Sequence, residues 1–316
     1  VTIVLVGPTA AGKSSLAVAL ARRLGQEQIE AEIVNADSML VYRGMDIGTA
    51  KPTAAERDGV PHHLIDILDI TQTATVAEFQ ALARAAIADC RRRGVRPIVV
   101  GGSALYVRAI VDAFEFPGTD PAVRAALEAD LAADGPHRLH ARLQQQDPAA
   151  AAAILPGNGR RIVRALEVIA LTGRAFSVGL PGYRYQLPDV LQIGLDIERD
   201  LVDQRISDRV DRMWGEGFVT EVIELERRGL RSGVTASRAL GYRQILDFLS
   251  GSTTEDEARM RTVAGTRRFS RKQGGWFRRD PRIRWVSGLA PDLLDQVWRV
   301  VGENGPELPA QAGMEH

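Results

Sequence analysis

The chain opens on an apolar run, Val1-Thr2-Ile3-Val4-Leu5-Val6, that gives way at once to small and polar residues. A short β-branched run of this kind predicts a buried strand. Residues 15–24 then carry apolar positions at helical spacing. The pattern repeats. Residues 32–35 predict a second short strand ending in Ala36-Asp37-Ser38. Residues 75–92 place Val76, Phe79, Leu82, Ala83, Ala86 and Ile87 on one helical face. Residues 96–100 predict a third buried strand ending in Gly101-Gly102-Ser103, and residues 104–113 a helix. Strands alternating with helices imply a parallel sheet. Between them, residues 39–61 hold two glycines and a proline in one block and predict an irregular stretch. From Asp120 to about Phe176 the period is helical only, punctuated by Pro121, Pro136, Pro148 and Pro156. Residues 190–196 predict a strand that returns to the sheet. Helices follow over residues 199–228, from Ser237, and from the capping box Thr254-x-x-Glu257 to about Gln273.

The first strand runs into Gly7-Pro8-Thr9-Ala10-Ala11-Gly12-Lys13-Ser14, that is, G-x-x-x-x-G-K-S between a strand and a helix. That context is what a phosphate-binding loop requires. Backbone N–H groups and the helix N-terminus hold phosphate oxygens, Lys13 reaches the outer phosphate, and the Ser14 hydroxyl faces Mg²⁺. The expected fold is α/β: a P-loop NTPase-like parallel sheet core flanked by helices, with an all-helical insertion domain. The core is expected over residues 1–116 and 189–316, and the insertion over 117–188. In such sheets ligands bind at the strand C-termini. Asp37-Ser38 and Gly102-Ser103 therefore converge on the crevice of the phosphate loop. Asp37 could hold magnesium through water or accept a proton; equally, it could close an Asx turn. Ser103 could bond a phosphate oxygen, cap the next helix, or do both.

Composition adds little to the fold and more to the partners. Lys plus Arg and Asp plus Glu both number 40, so no whole-molecule field attracts polyanions. Locally the balance differs: residues 259–284 hold ten basic residues and one acid, Asp280, with Trp276 and Phe277 among them. This is a polyanion footprint of the kind nucleic acid meets. One cysteine, Cys90, excludes a disulfide framework and a cysteine zinc cluster, and reads as inert filling. His62 and His63 are adjacent, with no further ligand cluster expected nearby, so a structural or substrate-contact role is expected. No apolar run approaches membrane-spanning length and no leader stands ahead of the first strand, so a cytoplasmic protein is expected. The polar tail from Gly302 is expected to fray.

The phosphate loop, Asp37-Ser38, the block Tyr42-Arg43-Gly44-Met45-Asp46-Ile47-Gly48-Thr49-Ala50-Lys51-Pro52, Pro61-His62-His63-Leu64-Ile65-Asp66 and Gly101-Gly102-Ser103-x-Leu105-Tyr106 follow in order. Arg161-x-x-Arg164-Ala165-Leu166-Glu167, Gly241-Tyr242-Arg243-Gln244 and Arg271-x-Gln273-x-x-Trp276-x-Arg278 come after them. This series resembles the bacterial tRNA dimethylallyltransferases, over residues 1 to about 286. The resemblance implies transfer of a dimethylallyl group from dimethylallyl diphosphate to N6 of the adenosine 3′-adjacent to the anticodon. It implies that Gly7 to Ser14 hold the donor's diphosphate with Mg²⁺ rather than a nucleoside triphosphate. It implies catalytic roles for Asp37 as base, Ser103 at the leaving group and Arg124 on the diphosphate side. It also implies tRNA contacts through Asp37, Ser38, Met39, Leu40, Ser103, Arg124, Arg160, Arg161, Arg164, Arg238, Gly241, Tyr242 and Arg243. Arg267, Arg271 and Lys272 of the basic region would grip the RNA backbone. Ser103 stands where the family usually has threonine, and Leu40 where many relatives have glutamine. A monomer is expected, acting on tRNA and away from membranes. Three other readings of the residues stand beside this one: a P-loop small-molecule kinase, prenyl transfer to free AMP or ADP, and a P-loop switch or RNA-binding module. ATP turnover or label in AMP would mark the first two; the third leaves a carboxylate at the crevice without a task.

Overall fold

The computed structural model describes residues 1–114, 116–179 and 182–304. Of the tail from Gly302, expected to fray, Gly302–Asn304 instead end a helix, and the residues beyond lie outside the described ones. The chain divides into two compact units, Val1–Val111 with Leu187–His316, and Asp112–Gln186. The smaller unit starts five residues earlier, and ends two earlier, than the proline and glycine pattern suggests. Its entry and exit pair with each other: Asp112 bridges Tyr185, and the Ala113 N–H donates to the Arg184 carbonyl.

In the larger unit the elements run β1 (Thr2–Val6), α1 (Lys13–Gln26), β2 (Ala31–Asn35), α2 (Ala54–Arg57), β3 (His62–His63), α3 (Val76–Arg92), β4 (Arg96–Gly101) and α4 (Ala104–Val111). The smaller unit holds α5 (Pro121–Gln146), α6 (Pro148–Ala153) and α7 (Gly159–Thr172). The chain then returns as β5 (Val190–Asp196), α8 (Arg199–Gly215), α9 (Phe218–Arg227), α10 (Tyr242–Leu249), α11 (Glu255–Phe277), β6 (Arg284–Ser287) and α12 (Leu293–Asn304).

The sheet is six-stranded and parallel, in the order β3-β2-β4-β1-β5-β6. From β1 the chain winds one way to β2, while β5 is added on the other side of β1. The loop after β1 therefore sits where the winding reverses, the position at which such sheets open a crevice. Ile3, Leu5, Ile33, Ile98 and Ile193 face one way and bury against Leu16, Leu20 and Leu24 of α1 and Val297 and Val301 of α12. Alternate residues such as Val4, Val34 and Val99 are buried on the other face, where α3 packs on β2 and β4.

The structure goes beyond the pattern in three places. Residues 39–61 are not wholly irregular: Thr53 and Glu56 form a capping box that starts α2. Two elements, the four-residue β6 and the helix α12, were not predicted from the pattern. And α11 continues through Gly274-Gly275 to Phe277, which is buried, so packing overrides the weak helix propensity of two glycines.

The smaller unit has its own core, with Leu127, Leu139 and Leu143 of α5 against Ile162, Val163 and Leu166 of α7. Asp120 and Asp147 cap α5 and α6 ahead of a proline at each first turn. Gly135-Pro136 kinks α5 midway, with Gly135 at φ 77°.

Candidate active site

The phosphate loop is shaped by its backbone. Gly12 adopts φ 84°, a left-handed conformation, and caps α1. Lys13 folds back so that its Nζ donates to the Pro8 carbonyl at 2.6 Å. Burial pulls the Lys13 ammonium down to about 8; the Asp37 carboxylate works against this and Arg209 adds to it. The loop lines a cleft of about 710 Å³ from Thr9 to Ser14.

Asp37, Leu40, Gly101 and Gly102 line the same cleft, so the ends of β2 and β4 do meet the phosphate loop. The Asx turn expected of Asp37 is present. Its Oδ1 accepts from the Met39 N–H at 2.9 Å, an Asx turn, while its charge acts on Lys13 and Arg209. Buried Asn35 fixes the turn: it accepts from the Asp37 N–H and donates to the carbonyls of Asp37 and Leu64. Ser103, in contrast, lies just beyond the lining residues, and its carbonyl accepts from Val107 in the first turn of α4. Ser38 is bonded to Tyr106, whose phenol burial pushes up to about 12.

The opposite wall was not legible as a site. Arg205, Arg209 and Arg212 of α8 follow one another by four and three residues, and all three line the cleft. Arg209 is tethered to Thr9 Oγ1 at 3.3 Å and the Thr49 carbonyl at 3.2 Å. Burial lowers its pKa, and the nearby Asp37 charge opposes that. A guanidinium held this way, beside the phosphate loop, suits an anionic ligand. The only sequence signal was the helical spacing of three arginines in a helix of mixed charge.

Residues 46–53 complete the wall. Glu221 of α9 holds them: its carboxylate accepts from the N–H groups of Asp46, Ile47 and Gly48 at 3.0, 2.7 and 3.3 Å, and from the Tyr242 hydroxyl at 2.6 Å. Gly48 has to be glycine, because a Cβ there would come within 2.2 Å of the Phe218 ring. Lys51 is buried and ties the stretch to the Tyr42 carbonyl, Asp46 and Asp66. Its charge is thus engaged by carboxylates and stays within the fold.

With this geometry established, the comparisons with known proteins carry weight. The family model described as IPP transferase matches residues 40–280. The chain belongs to the IPP transferase family. It is 62% identical over 294 residues to a tRNA dimethylallyltransferase of Kineococcus radiotolerans, covering 93% of this chain and 92% of that one. It is 60% identical over 302 residues to the tRNA dimethylallyltransferase of Thermobifida fusca, covering 96% and 94%. Among solved structures, the full-length tRNA isopentenylpyrophosphate transferase of Bacillus halodurans matches at TM-score 0.68 and 40% identity, over 96% of this chain and 97% of that one. A eukaryotic dimethylallyltransferase acting on tRNA matches at TM-score 0.80 and 26% identity, over 95% and 77%.

In this IPP transferase the motif residues divide into those that face solvent and those that hold the fold. Gly241 and Tyr242, expected at the tRNA, are buried. Burial and the adjoining Glu221 push the Tyr242 phenol well above its ordinary value. Tyr242 thus acts on the residue 46–48 backbone through Glu221 rather than on RNA. Arg238 and Arg243 beside them are exposed.

The basic helix α11 divides in the same way. Arg267 donates to the Asp203 carbonyl and, at 2.7 Å, to Ser207 Oγ, so it ties α11 to α8. Arg259, Arg278 and Arg282 pair with Asp211, Asp196 and Asp280. Arg261, Arg268, Arg271 and Lys272 are exposed, although Arg271 lies 3.7 Å from Asp203. With Ala264, Gly275 and Trp276 they make one outward stripe. On the inner face Gln273 is buried, and its Oε1 accepts from the Thr9 N–H at 2.9 Å. The helix that carries the basic stripe is therefore bonded directly to the phosphate loop.

In the smaller unit, Glu167 is fully buried and receives both Arg124 and Arg164. Burial disfavours the carboxylate, but the two guanidinium groups outweigh it and hold the Glu167 pKa down. Arg164 also donates to the Pro117 and Gly118 carbonyls, so it closes the unit. Arg124 remains partly exposed, and Arg160 and Arg161 are exposed at the start of α7.

The paired histidines also depart from expectation. His62 lines the cleft with its Nδ1 against the Val60 carbonyl. His63, on the alternate side of β3, meets Glu32 and Cys90. A ligand-type cluster is therefore present where none was expected, and Cys90 is not surrounded by apolar groups alone.

Proposed function

We propose that this protein transfers the dimethylallyl group of dimethylallyl diphosphate to N6 of the adenosine 3′-adjacent to the anticodon of tRNA. The observation that carries the reading is the meeting, in one cleft, of cationic groups and a carboxylate: Lys13 on the phosphate loop, Arg209 on the α8 wall and Asp37 at the end of β2. Family membership adds the substrate class, since the relatives of both kingdoms are named for acting on tRNA.

The chemistry follows from those groups. The exocyclic amine attacks the allylic carbon, the carbon–oxygen bond breaks, and diphosphate leaves with the bonding pair. Backbone N–H groups of residues 10–14, Lys13 and Arg209 stabilise the negative charge as it builds on the leaving oxygen. Asp37 takes the proton that N6 loses, which matters because an aromatic amine is a weak nucleophile. Arg205 and Arg212 extend the cationic wall, and Ser103 and Arg124 are assigned to the leaving-group side. Ser14 offers the kind of oxygen donor Mg²⁺ prefers and lines the cleft beside the phosphate loop, so the site fits that ion. When bound, it supplies further positive charge at the diphosphate. Ser38, Met39 and Leu40, which follow Asp37 in the chain, contact the tRNA. Arg160, Arg161, Arg238 and Arg243, with the α11 stripe through Arg268, Arg271 and Lys272, contact the RNA. The protein works as a cytoplasmic monomer.

The test is a transfer assay with Mg²⁺, labelled dimethylallyl diphosphate, and either unmodified tRNA carrying the target adenosine or free AMP. Label in tRNA alone is expected. Label in AMP would move the protein to nucleotide prenylation, and ATP turnover without label would make it a kinase.

A further inference from the structure

The Glu32, His63 and Cys90 side chains come from three elements, β2, β3 and α3, away from the phosphate loop. His63 Nε2 lies 2.6 Å from Glu32 Oε2, Cys90 Sγ lies 3.4 Å from the same oxygen, and Sγ is 3.8 Å from Nε2. A tetrahedral zinc ion with bonds of roughly 2.0–2.3 Å places its donor atoms about 3.3–3.6 Å apart. Two of the three separations thus nearly match a metal's coordination sphere already. The third, a hydrogen bond, has to open by about 0.7 Å to reach that spacing. We propose that Glu32, His63 and Cys90 bind a zinc-class divalent cation.

The donor set favours that class. A thiolate, an imidazole and a carboxylate select zinc or a similar borderline-soft ion over magnesium, which prefers oxygen alone. The surroundings are compatible with a cation. Arg93 clamps Glu32 through both oxygens at 2.7 Å, and its own charge is answered by Asp89 at 2.8 Å. Arg93 Nη2 also lies 3.7 Å from Cys90 Sγ, so that nitrogen has to turn away as the ion enters, while Nη1 keeps the outer Glu32 oxygen oriented. Cys90 is buried and Glu32 nearly so, while His63 is 30% exposed, which leaves a path for the ion and a fourth position for water. On binding, the metal–sulfur, metal–nitrogen and metal–oxygen bonds replace the S–H bond and the Nε2–Oε2 hydrogen bond. The neutral imidazole moves its hydrogen from Nε2 to Nδ1 to free the ligating nitrogen, and one net proton, from the thiol, goes to solvent. The ion would pin β3, a two-residue edge strand whose other residue, His62, lines the reaction cleft.

Cobalt(II) is the probe, added to the full chain in excess Mg²⁺. Cys90 is the one cysteine in the sequence, so a thiolate-to-cobalt charge-transfer band reports this site alone. The expected result is one cobalt per chain with that band, displaced by Zn²⁺, at least tenfold weaker in His63→Gln and lost in Cys90→Ala. Zinc should also raise the melting temperature of the wild type and leave that of Cys90→Ala unchanged. Absence of the band in the wild type at millimolar cobalt overturns the site, as does unchanged affinity in a folded His63→Gln. Should His63→Gln fail to fold, the zinc-dependent melting shift in wild type against Cys90→Ala decides: equal shifts overturn the proposal.

Discussion

The cleft wall and the basic helix use arginine in opposite ways. On α8, Arg205, Arg209 and Arg212 sit in a helix of mixed charge, yet all three turn into the cleft. Over residues 259–284, most of them on α11, ten basic residues stand against one acid, yet Arg259, Arg267, Arg278 and Arg282 bond to groups of the protein itself. The number of charges in a stretch is therefore a poor guide to the charges available to a ligand. What matters is which helical face each one occupies and whether a carboxylate or carbonyl already meets it.

Four measurements would break or sharpen that contrast. The largest effect belongs to the cleft. Asp37→Ala should lower turnover by roughly 10²–10⁴-fold, the usual worth of a positioned base, with tRNA affinity retained in a gel-shift titration. Near-normal single-turnover rates would remove Asp37 from that role and leave it an Asx-turn residue.

Next comes Arg209. Replacing it with Gln deletes a charge-assisted contact worth about 1.5–3 kcal/mol, so kcat/KM for the prenyl donor should drop by about 10–150-fold. A loss confined to tRNA binding would place the diphosphate elsewhere.

The basic helix gives a paired test of intermediate size. Removing Arg268 and Lys272 together should flatten the slope of log affinity for tRNA against log salt by about 1.5, with little change in melting temperature. Arg267→Ala should do the reverse, costing about 1–3 kcal/mol of stability through its lost bonds to α8 while the salt slope stays put. If Arg267→Ala flattens the slope and the double variant does not, the division into bonded and outward arginines is wrong.

The smallest effect is a pH dependence. Lys13 titrates near 8 in the free protein, so it is charged below that pH and loses its proton as pH rises through it. Diphosphate binding needs the charged form and must then take up a proton. Inorganic diphosphate affinity, followed by calorimetry, should fall about tenfold per pH unit above 8 and be flat below it. Lys13→Arg should move that fall to higher pH, and an unchanged profile would show that another group titrates.

The phosphate loop was legible because its meaning is local. Glycines at fixed spacing, a lysine and a hydroxyl act through the backbone of one strand-turn-helix unit, so order in sequence is order in space. The same holds for the alternation of strands with helices, the capping boxes and the helix-only stretch that became the smaller unit. Asp37 was legible as well, since a polar residue ending a buried strand has one edge of the sheet to occupy.

The residues decided by tertiary structure are those whose partners lie far along the chain. Glu221 reaches the backbone of residues 46–48, Gln273 reaches Thr9, and Arg209 reaches Thr9 and Thr49. Tyr242 and Arg267 carry a family motif and a basic run, respectively, but packing turned one inward and bonded the other to α8. The Glu32, His63 and Cys90 side chains meet only because β2, β3 and α3 are neighbours in the folded sheet layer. Sequence alone specified the elements, the loop and the chemistry each residue type can perform. Which side chains converge, and which charges remain available, was fixed by helix faces and strand order, because burial forces every polar group it covers to find a partner.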